Sequence, residues 1–175
     1  LVDMVTHAQT TQKVLNKITK TLEVLAKNDK VCQLIQTIPG LGTICSCRLR
    51  ATIGDIKRFK NPKDFPAYYG LVPRSIATGH NEKKGKITHR GDRTMRSLMV
   101  QGAGCVIRLA TCGKLKSKQL TKWILKKQKE KMPWGKLVCA VAAKLLRIVR
   151  AILISSKPYN PKIAGVAKCS LSKGS

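Results

Sequence analysis

The residues that could perform chemistry lie together in one stretch, residues 70–91, which shows no helical periodicity. The stretch is rich in glycine, lysine, arginine and hydroxyl side chains, among them Ser75 and Thr78. A hydroxyl becomes a nucleophile when a base or a metal ion activates it. His80 and His89 could contact phosphate or move a proton, although a lone loop histidine more often does neither. Because so long a connection inside a compact domain is more often functional than idle, we predict a phosphate-gripping loop here.

The chain carries a large excess of positive charge. Its 35 Lys and Arg residues face only 8 Asp and Glu residues, which gives a formal net charge of +27 at pH 7. Nucleic acid is the usual partner of such a chain, because it neutralises the self-repulsion and each phosphate contact releases a counterion. A membrane surface would require a basic helix with apolar aromatics, and only 4% of the residues are aromatic. The charge therefore predicts binding to nucleic acid but does not choose between DNA and RNA.

Cysteine usage and the absence of an export signal indicate the compartment. Seven cysteines are present, and no two of them have the two-residue separation of zinc ribbons. Most lie among apolar residues, as Cys105 does, which predicts reduced, buried thiols. The sequence has no signal peptide and no apolar span of 18 residues, so we expect a cytoplasmic protein with no membrane contact. The sequence begins at Leu1 instead of Met, which favours a further segment upstream.

The elements that position the 70–91 stretch are predicted to be helices. The first helix ends at Asn28, and small or apolar residues recur along it at alternating steps of four and three: Met4, Ala8, Thr11, Leu15, Ile18, Leu22 and Leu25. This spacing is typical of a coiled-coil seam. An ordinary amphipathic helix docked on its own domain would show the same spacing over so short a distance.

Two further helices are predicted over residues 30–37 and 43–53, with a turn between them that contains Gly40 and Gly42. Helix, Gly-hydrophobic-Gly and helix in that order form the pattern of a helix-hairpin-helix, here about residues 31–54. The glycines let backbone N–H groups approach a phosphate, and the next helix points its positive end at the same anion. A purely structural turn remains the alternative, because glycine is common in helix connections.

The rest of the chain predicts four more helices. A short one covers residues 63–69, and Asp92 caps a long one whose buried face consists of Met95, Leu98, Met99, Gly102, Val106 and Leu109. The very basic segment 114–131 is predicted to be a helix that faces solvent or lies along nucleic acid. The last helix, residues 136–154, should enter the core through Leu137, Val138, Val141, Leu145, Ile148, Val149 and Ile152.

These elements predict an all-α protein with a long basic loop at residues 70–91. The domain itself is assigned to residues 30–160. Residues 1–29 are predicted to be the end of a coiled coil or a linker helix, and residues 161–175 a disordered tail.

Five blocks of the sequence resemble the C-terminal domain of the insertion-sequence transposases of the IS-one-ten type, which are relatives of the Piv DNA invertases. In chain order the blocks are Ile38–Gly42, Ile53–Phe59, Ala67–Arg74, Gly85–Asp92 and Arg96–Val100. Residues 135–150 are similar to the closing helix of the same family. The resemblance covers about residues 31–160, and five blocks in order make it specific.

The resemblance implies a bacterial, nucleoid-associated recombinase that cuts and rejoins DNA. In that family an N-terminal RuvC-like domain supplies an acidic metal-binding tetrad, a coiled coil links the halves, and the C-terminal domain supplies a nucleophilic serine. Characterised members are guided by a bridge RNA. The resemblance therefore implies DNA, a guide RNA and, through the coiled coil, a second copy of the chain as partners. The eight carboxylates of this chain are scattered singly, so no cofactor of its own is expected, and Mg²⁺ only with the RuvC-like domain.

The resemblance also implies a position for the nucleophile. The family has a pair of hydroxyl residues followed by glycine, and this chain has Ala77-Thr78-Gly79 there. If the first of the pair is the nucleophile, Ala77 has removed it. If the second is, Thr78 retains a hydroxyl, and Ser75 could serve only if the loop register slips by two or three residues.

The resemblance thus implies a domain that binds DNA and transfers strands. Gly40 and Gly42 would hold backbone amides against phosphate, and Arg74 would lie near the scissile phosphate. The DNA path would be lined by Lys83, Lys84, Lys86, His89, Arg90, Arg93 and Arg96. We expect the chain alone to be inactive. The alternatives are a non-catalytic DNA-binding remnant, which Ala77 favours, and a basic RNA-binding protein.

Overall fold

The computed structural model describes residues 2–78, 81–88 and 90–162. Within these ranges the chain forms seven α-helices, a short 3₁₀ turn at Ile56–Arg58 and one two-stranded antiparallel sheet. The helices are α1 (Val2–Asn28), α2 (Lys30–Gln36), α3 (Thr43–Ile53), α4 (Asp64–Tyr68), α5 (Arg93–Thr111), α6 (Lys118–Lys129) and α7 (Trp134–Ser155). The strands are β1 (Pro73–Thr78) and β2 (Asn81–Ile87). The predicted all-α class is confirmed, with the sheet as a small addition.

The core is built around α7. Every α7 position predicted from the sequence to be buried is buried, and the surrounding helices α2, α4, α5 and α6 pack against it. Side chains such as Leu145 and Val149 are fully enclosed. Each apolar side chain of this size contributes about 1.5–3 kcal/mol when it is completely buried. The most apolar helix therefore fixes the positions of the others.

Helix α5 begins where the sequence predicted. The Asp92 carboxylate accepts hydrogen bonds from the N–H groups of Thr94 (2.9 Å) and Met95 (3.1 Å), as an N-cap residue does. Of the face predicted to be buried, four residues are buried and the other two, Leu98 and Leu109, are half-buried. This cap fixes the point at which the chain leaves the 70–91 stretch and enters the core.

Helices α2 and α3 also follow the sequence prediction to within one residue. The Asp29 carboxylate caps α2 and accepts a further hydrogen bond from Arg50 at 2.9 Å. Helix α3 then runs antiparallel to α5, because Cys45 lies against Met99 while Arg48 lies against Asp92. The turn between α2 and α3 therefore packs near the middle of α5.

Helix α1 docks on the rest of the chain only through its last turns. Ala26 is buried, Leu22 is half-buried, and the Cys47 thiol donates to the Leu22 carbonyl. Residues 3–18 are exposed throughout, including Leu15 (52% exposed) and Ile18 (51% exposed). The helix is therefore docked on its own domain at one end and carries an uncovered apolar seam at the other.

The predicted basic loop at residues 70–91 contains no helix in its described part, as expected, but it contains two paired strands that were not predicted. Within this stretch β1 pairs with β2, with Ser75 opposite Lys84 and Thr78 opposite Asn81. A register shift between Pro73 and Ser75 leaves one extra residue in β2, next to Gly85. A glycine inside a strand often marks such a bulge. The strands escaped prediction because lysine and glycine have low β-propensity and the bulge interrupts the alternating pattern.

Smaller differences concern the basic helix, the thiols and the tail. Helix α6 begins at Lys118, after the cap residue Ser117, and so is shorter than predicted. Cys105 is exposed, contrary to the prediction that it is buried, since it lies on the outer side of α5. The Ser117 hydroxyl donates to the Pro161 carbonyl at 3.1 Å, and most of the predicted tail, residues 163–175, lies outside the described residues. In the described ranges, no helix is long and apolar enough to cross a bilayer.

Candidate nucleic-acid interface

Strands β1 and β2 form a β-hairpin, and the base of this hairpin is anchored by two glycines in facing turns. Gly70 and Gly91 both have positive φ, +68° and +80°. A Cβ on Gly70 would collide with the backbone of Arg90, and a Cβ on Gly91 would collide with the Tyr68 carbonyl. Only glycine allows both the backbone conformation and this close approach. The turns that lead into β1 and out of β2 are therefore packed directly against each other.

Arg96 ties these two turns together. One of its guanidinium nitrogens donates to the carbonyls of Tyr69 (3.1 Å) and Arg90 (3.0 Å). The N–H of Thr88 donates to the Val72 carbonyl at 3.1 Å, which extends the hydrogen bonding between the two chain segments beyond the base of the strands. Arg96 was predicted to line the DNA path. In the structure Arg96 is half-buried, and its guanidinium holds the two turns together through these two hydrogen bonds.

An aromatic cluster supports the hairpin base from below. Phe59, Phe65, Tyr68 and Tyr69 pack edge to face, with ring centroids 4.9–5.5 Å apart. Burial raises the pKa of the Tyr69 hydroxyl, and its hydrogen bond with Thr52, 2.8 Å long, acts in the opposite direction. Edge-to-face packing of this kind stabilises the cluster beyond what the burial of the rings contributes. The hairpin therefore emerges from a rigid part of the core.

Three of the arginines predicted to contact DNA lie at this base. Arg74 is exposed near the start of β1, Arg90 is exposed three residues after the end of β2, and Arg93 is exposed in the first turn of α5. A cation is unfavourable at the positive end of a helix dipole, so Arg93 does not stabilise α5. An anion such as an external phosphate, bound at this end of α5, would interact favourably both with the helix dipole and with Arg93.

The remaining predicted residues of the hairpin are placed only in part. The backbones of Ser75, Thr78, Lys83, Lys84 and Lys86 belong to the two strands. Their side chains lie outside the described residues, as do Gly79, His80 and His89 entirely. Ser75 and Thr78 are three positions apart, which corresponds to about 10 Å along a strand.

The two glycines of the α2–α3 turn have different roles. Gly40 has a φ of +83°, and a Cβ there would lie 2.6 Å from both the Gly102 carbonyl oxygen and Val106 Cγ2. Gly42 is exposed at the N-cap of α3, where no side chain caps the helix and no atom lies within 4 Å of the place that a Cβ would take. Gly40 is therefore required for packing on α5, and only Gly42 leaves space for an external phosphate.

The predicted site consequently falls into two groups. The α2–α3 turn contacts α5 at Gly102, whereas the hairpin base lies at its first residue, Arg93. Nine residues of helix separate these points, which is about 14 Å. The structure therefore does not bring the turn glycines together with the hairpin cations.

Five of the eight carboxylates are engaged in helix caps, a turn or an ion pair. Asp29, Asp55 and Asp92 accept N–H bonds at the starts of helical segments, the Asp64 carboxylate accepts the N–H of Asn61, and Glu130 pairs with Lys127 at 2.6 Å. Burial acts to raise the pKa of Asp92, but the Met95 N–H and the Arg48 guanidinium outweigh it and the pKa is lowered. No group of three or more His, Cys, Asp or Glu side chains in the described ranges could hold a metal ion.

Sequence reasoning missed the roles of Gly70, Gly91 and Arg96 in anchoring the hairpin. The first two stand in the turns Tyr-Tyr-Gly and Arg-Gly-Asp, each beside a predicted helix end. An isolated glycine there signals positive φ or a close backbone approach. What it does not reveal is that the two glycines face each other.

Comparison with known proteins gives a consistent set of relatives. A model of the IS116/IS110/IS902 transposase family matches residues 32–118. The transposase for insertion sequence element IS1111A of Coxiella burnetii is 32% identical over 138 residues, which are 79% of this chain and 37% of that protein. The transposase for IS1328 of Yersinia enterocolitica is 34% identical, over 77% of this chain and 39% of its own length. The pilin gene-inverting protein of Moraxella bovis is 28% identical, over 74% and 39%.

The chain belongs to the IS116/IS110/IS902 family of insertion-sequence transposases. The resemblance seen in the sequence blocks is thereby confirmed. The chain spans less than half the length of these relatives.

Proposed function

We propose that this chain is the part of an insertion-sequence transposase that binds DNA and transfers strands, with a hydroxyl of the hairpin as nucleophile. The observation that supports this role is the anchored hairpin base, where Gly70, Gly91 and Arg96 fix the strands on α5. Exposed Arg90 and Arg93 lie beside it. Positioned cations stabilise the negative charge that develops at a reacting phosphate.

Thr78 is the proposed nucleophile, and Ser75 is the weaker alternative. Thr78 lies at the end of β1, opposite Asn81, and Ser75 lies three residues closer to the anchored base. Arg74, next to Ser75, is proposed to contact the scissile phosphate, and Lys83, Lys84, Lys86 and His89 to contact the DNA that flanks it. A rigid base supports such chemistry, because a small displacement of a nucleophile lowers the rate of its reaction strongly.

The metal expected for this chemistry is proposed to come from another domain. The carboxylates described above do not converge, and each has a structural partner, so they do not fit a divalent-metal site. No step is therefore routed through a metal here. We propose that Mg²⁺ is bound by a RuvC-like domain outside this chain.

A second copy of the chain and a guide RNA are proposed as partners. The exposed seam of α1, with Met4, Ala8, Thr11, Leu15 and Ile18, has the spacing of a coiled coil. Such a seam is stabilised when it is covered by an identical helix. The guide RNA rests on the family resemblance alone.

DNA binding is tested by its salt dependence. If about six side chains neutralise phosphates, the logarithm of the affinity falls with the logarithm of salt concentration with a slope of about −5. Arg90→Gln/Arg93→Gln should make this slope less negative by about 2 for duplex DNA, with helical content unchanged. A parent slope shallower than about −2 would contradict the DNA-binding role, and equal affinity for duplex RNA would favour an RNA-binding protein.

Strand transfer is tested by restoring both halves of the chemistry. The chain would be joined to a related RuvC-like domain with its guide RNA, and Ala77→Ser would be compared with Thr78→Ala. Activity in the unaltered fusion that Thr78→Ala abolishes would support Thr78 as nucleophile. A covalent protein–DNA adduct at Ser75 would contradict it.

A non-catalytic DNA-binding remnant is the second candidate function. It is favoured by Ala77, which stands where the family resemblance implies a hydroxyl. Activity that appears only with Ala77→Ser would establish this remnant and identify position 77 as the lost nucleophile.

A further inference from the structure

A stripe of lysines runs along the outer side of α6, away from the hairpin. Lys118, Lys122, Lys126 and Lys129 are all exposed. At about 100° per residue they fall within about 80° of one another around the helix axis, opposite the buried residues Leu120 and Ile124. The stripe is about 16 Å long, with steps of about 5–6 Å.

These charges have no acidic counterpart among the described residues. The carboxylate of α6's C-cap, Glu130, already pairs with Lys127, which lies on a different side of the helix. A solvated surface normally mixes charges of both signs, and like charges at i and i+4 destabilise a helix. The stripe therefore carries a cost that an external polyanion would relieve.

The neighbouring surface of α7 extends the same charge. Lys144 lies over the ring of Trp123 with its Nζ 4.4 Å from the centroid, and Arg147 stands one turn further along α7. Arg147 Nε is buried without a hydrogen-bond partner. Burial lowers the pKa of Lys144, and repulsion by Arg147 lowers it further. Lys144 thus adjoins α6 at Trp123, and Arg147 adds a second cation beside Lys144.

The chemistry of this surface favours the backbone of a duplex over single-stranded nucleic acid. Single strands are bound by stacking bases on aromatic rings, and one face of Trp123 is already covered by Lys144. Lysines bind phosphates as point charges on flexible stems, without the planar hydrogen-bonding geometry of arginine. Duplex RNA is recognised largely through 2′-hydroxyls as well as phosphates. Lysine point charges make no such distinction between the two duplexes, so the choice of duplex DNA rests on the proposed DNA-binding function.

We propose that the α6–α7 surface, formed by Lys118, Lys122, Lys126, Lys129, Lys144 and Arg147, is a second binding track for the backbone of duplex DNA. The track is separate from the hairpin site and reads no bases. It rests on the proposed DNA-binding function and adds a second contact to it. A recombinase that joins two DNA segments needs to hold more than one duplex, and a second track supplies that contact.

The test compares two variants of the full chain with equal charge. In the stripe variant Lys118, Lys122, Lys126 and Lys129 are replaced by Gln, which keeps a similar helix propensity. In the control variant four exposed lysines elsewhere are replaced by Gln: Lys57, Lys60, Lys63 and Lys157. The salt slope for duplex DNA should become less negative by about 3.6 in the stripe variant, at about 0.9 per lost contact, and by less than about 1 in the control.

Tryptophan fluorescence distinguishes DNA bound at the α6–α7 surface from DNA attracted by the overall positive charge. The chain has two tryptophans, so in a Trp134→Phe background all tryptophan emission comes from Trp123. Duplex DNA should change this emission, and the stripe substitutions should remove the change. Equal losses in the stripe and control variants, or a loss confined to duplex RNA, would overturn the second track. A stripe variant that keeps the parent slope, while Arg90→Gln/Arg93→Gln reduces it, would overturn the track and leave the proposed function standing.

Discussion

Replacing Gly91 by alanine should loosen the hairpin from the core. A Cβ at this position would overlap the Tyr68 carbonyl, and the residue has a φ of +80°. The overlap is with backbone, which cannot rotate away as a side chain can. The two facing turns would therefore have to separate, and β1 and β2 would move with them.

The magnitude follows from two separate costs. An L-residue held in the left-handed region costs about 1–2 kcal/mol, and forcing an extra methyl into a packed site costs about 1–3 kcal/mol. The sum is about 3 kcal/mol, whereas a domain of this kind is stable by about 5–15 kcal/mol. Gly91→Ala should therefore remain folded but be clearly destabilised.

The chain offers a matched control in Gly113. It has a φ of +68°, and no atom lies within 4 Å of where its Cβ would be. Gly113→Ala should therefore show the backbone cost alone, about 1–2 kcal/mol. Both variants would be unfolded in urea and followed by circular dichroism, and the Thr88 amide, bonded to Val72, would be followed by hydrogen exchange. If Gly91→Ala costs no more than Gly113→Ala and leaves this exchange unchanged, the facing turns do not anchor the hairpin.

Three further predictions concern the caps, the α2–α3 turn and α1. Asp92→Asn keeps an N-cap side chain but loses the ion pair with Arg48, so it should cost about 0.5–1 kcal/mol at pH 7 in urea unfolding. The folded pKa of Asp92 is lowered from 3.8. The contribution is therefore complete above the unfolded value and is lost as pH falls through the folded one, so the difference between parent and variant should shrink as pH falls below 3.8. Gly40→Ala should lower stability, whereas Gly42→Ala should leave it nearly unchanged and weaken duplex DNA binding; equal DNA affinity of parent and Gly42→Ala would contradict the phosphate role. Ile18→Asp should abolish self-association in analytical ultracentrifugation without changing the unfolding midpoint, and an unchanged mass would exclude the α1 seam as a dimer contact.

The helices could be predicted from the sequence because their signals are local. Asp29 and Asp92 precede apolar repeats, and each caps the helix that the repeat predicted. Helix α7 is apolar on so many positions that only a central placement buries it. Periodicity and capping depend on neighbours within a few residues, so neither required knowledge of the tertiary structure.

The geometry of the candidate site depends on contacts between distant residues, and the sequence could not supply these. Gly40 was predicted to approach a phosphate, but its missing side chain makes room for the Gly102 carbonyl. Arg96 was assigned to the DNA path from its charge, yet it donates to two backbone carbonyls. A glycine in the sequence indicates a close backbone approach, and an arginine indicates a strong hydrogen-bond donor. The sequence does not reveal the partner of either residue, because that partner is determined by how the helices pack.

The few acidic residues of the chain include two that both cap a helix and hold an arginine of α3. Its two arginines, Arg48 and Arg50, are held by Asp92 and Asp29, the same carboxylates that cap α5 and α2. Each of these carboxylates therefore starts one helix and fixes another, so α3 is tied to both neighbours by two acidic side chains. Two of the few carboxylates of the domain thus each have two structural tasks. Most of its lysines and arginines consequently have no internal carboxylate to pair with, and their positive charge remains available to a polyanionic partner.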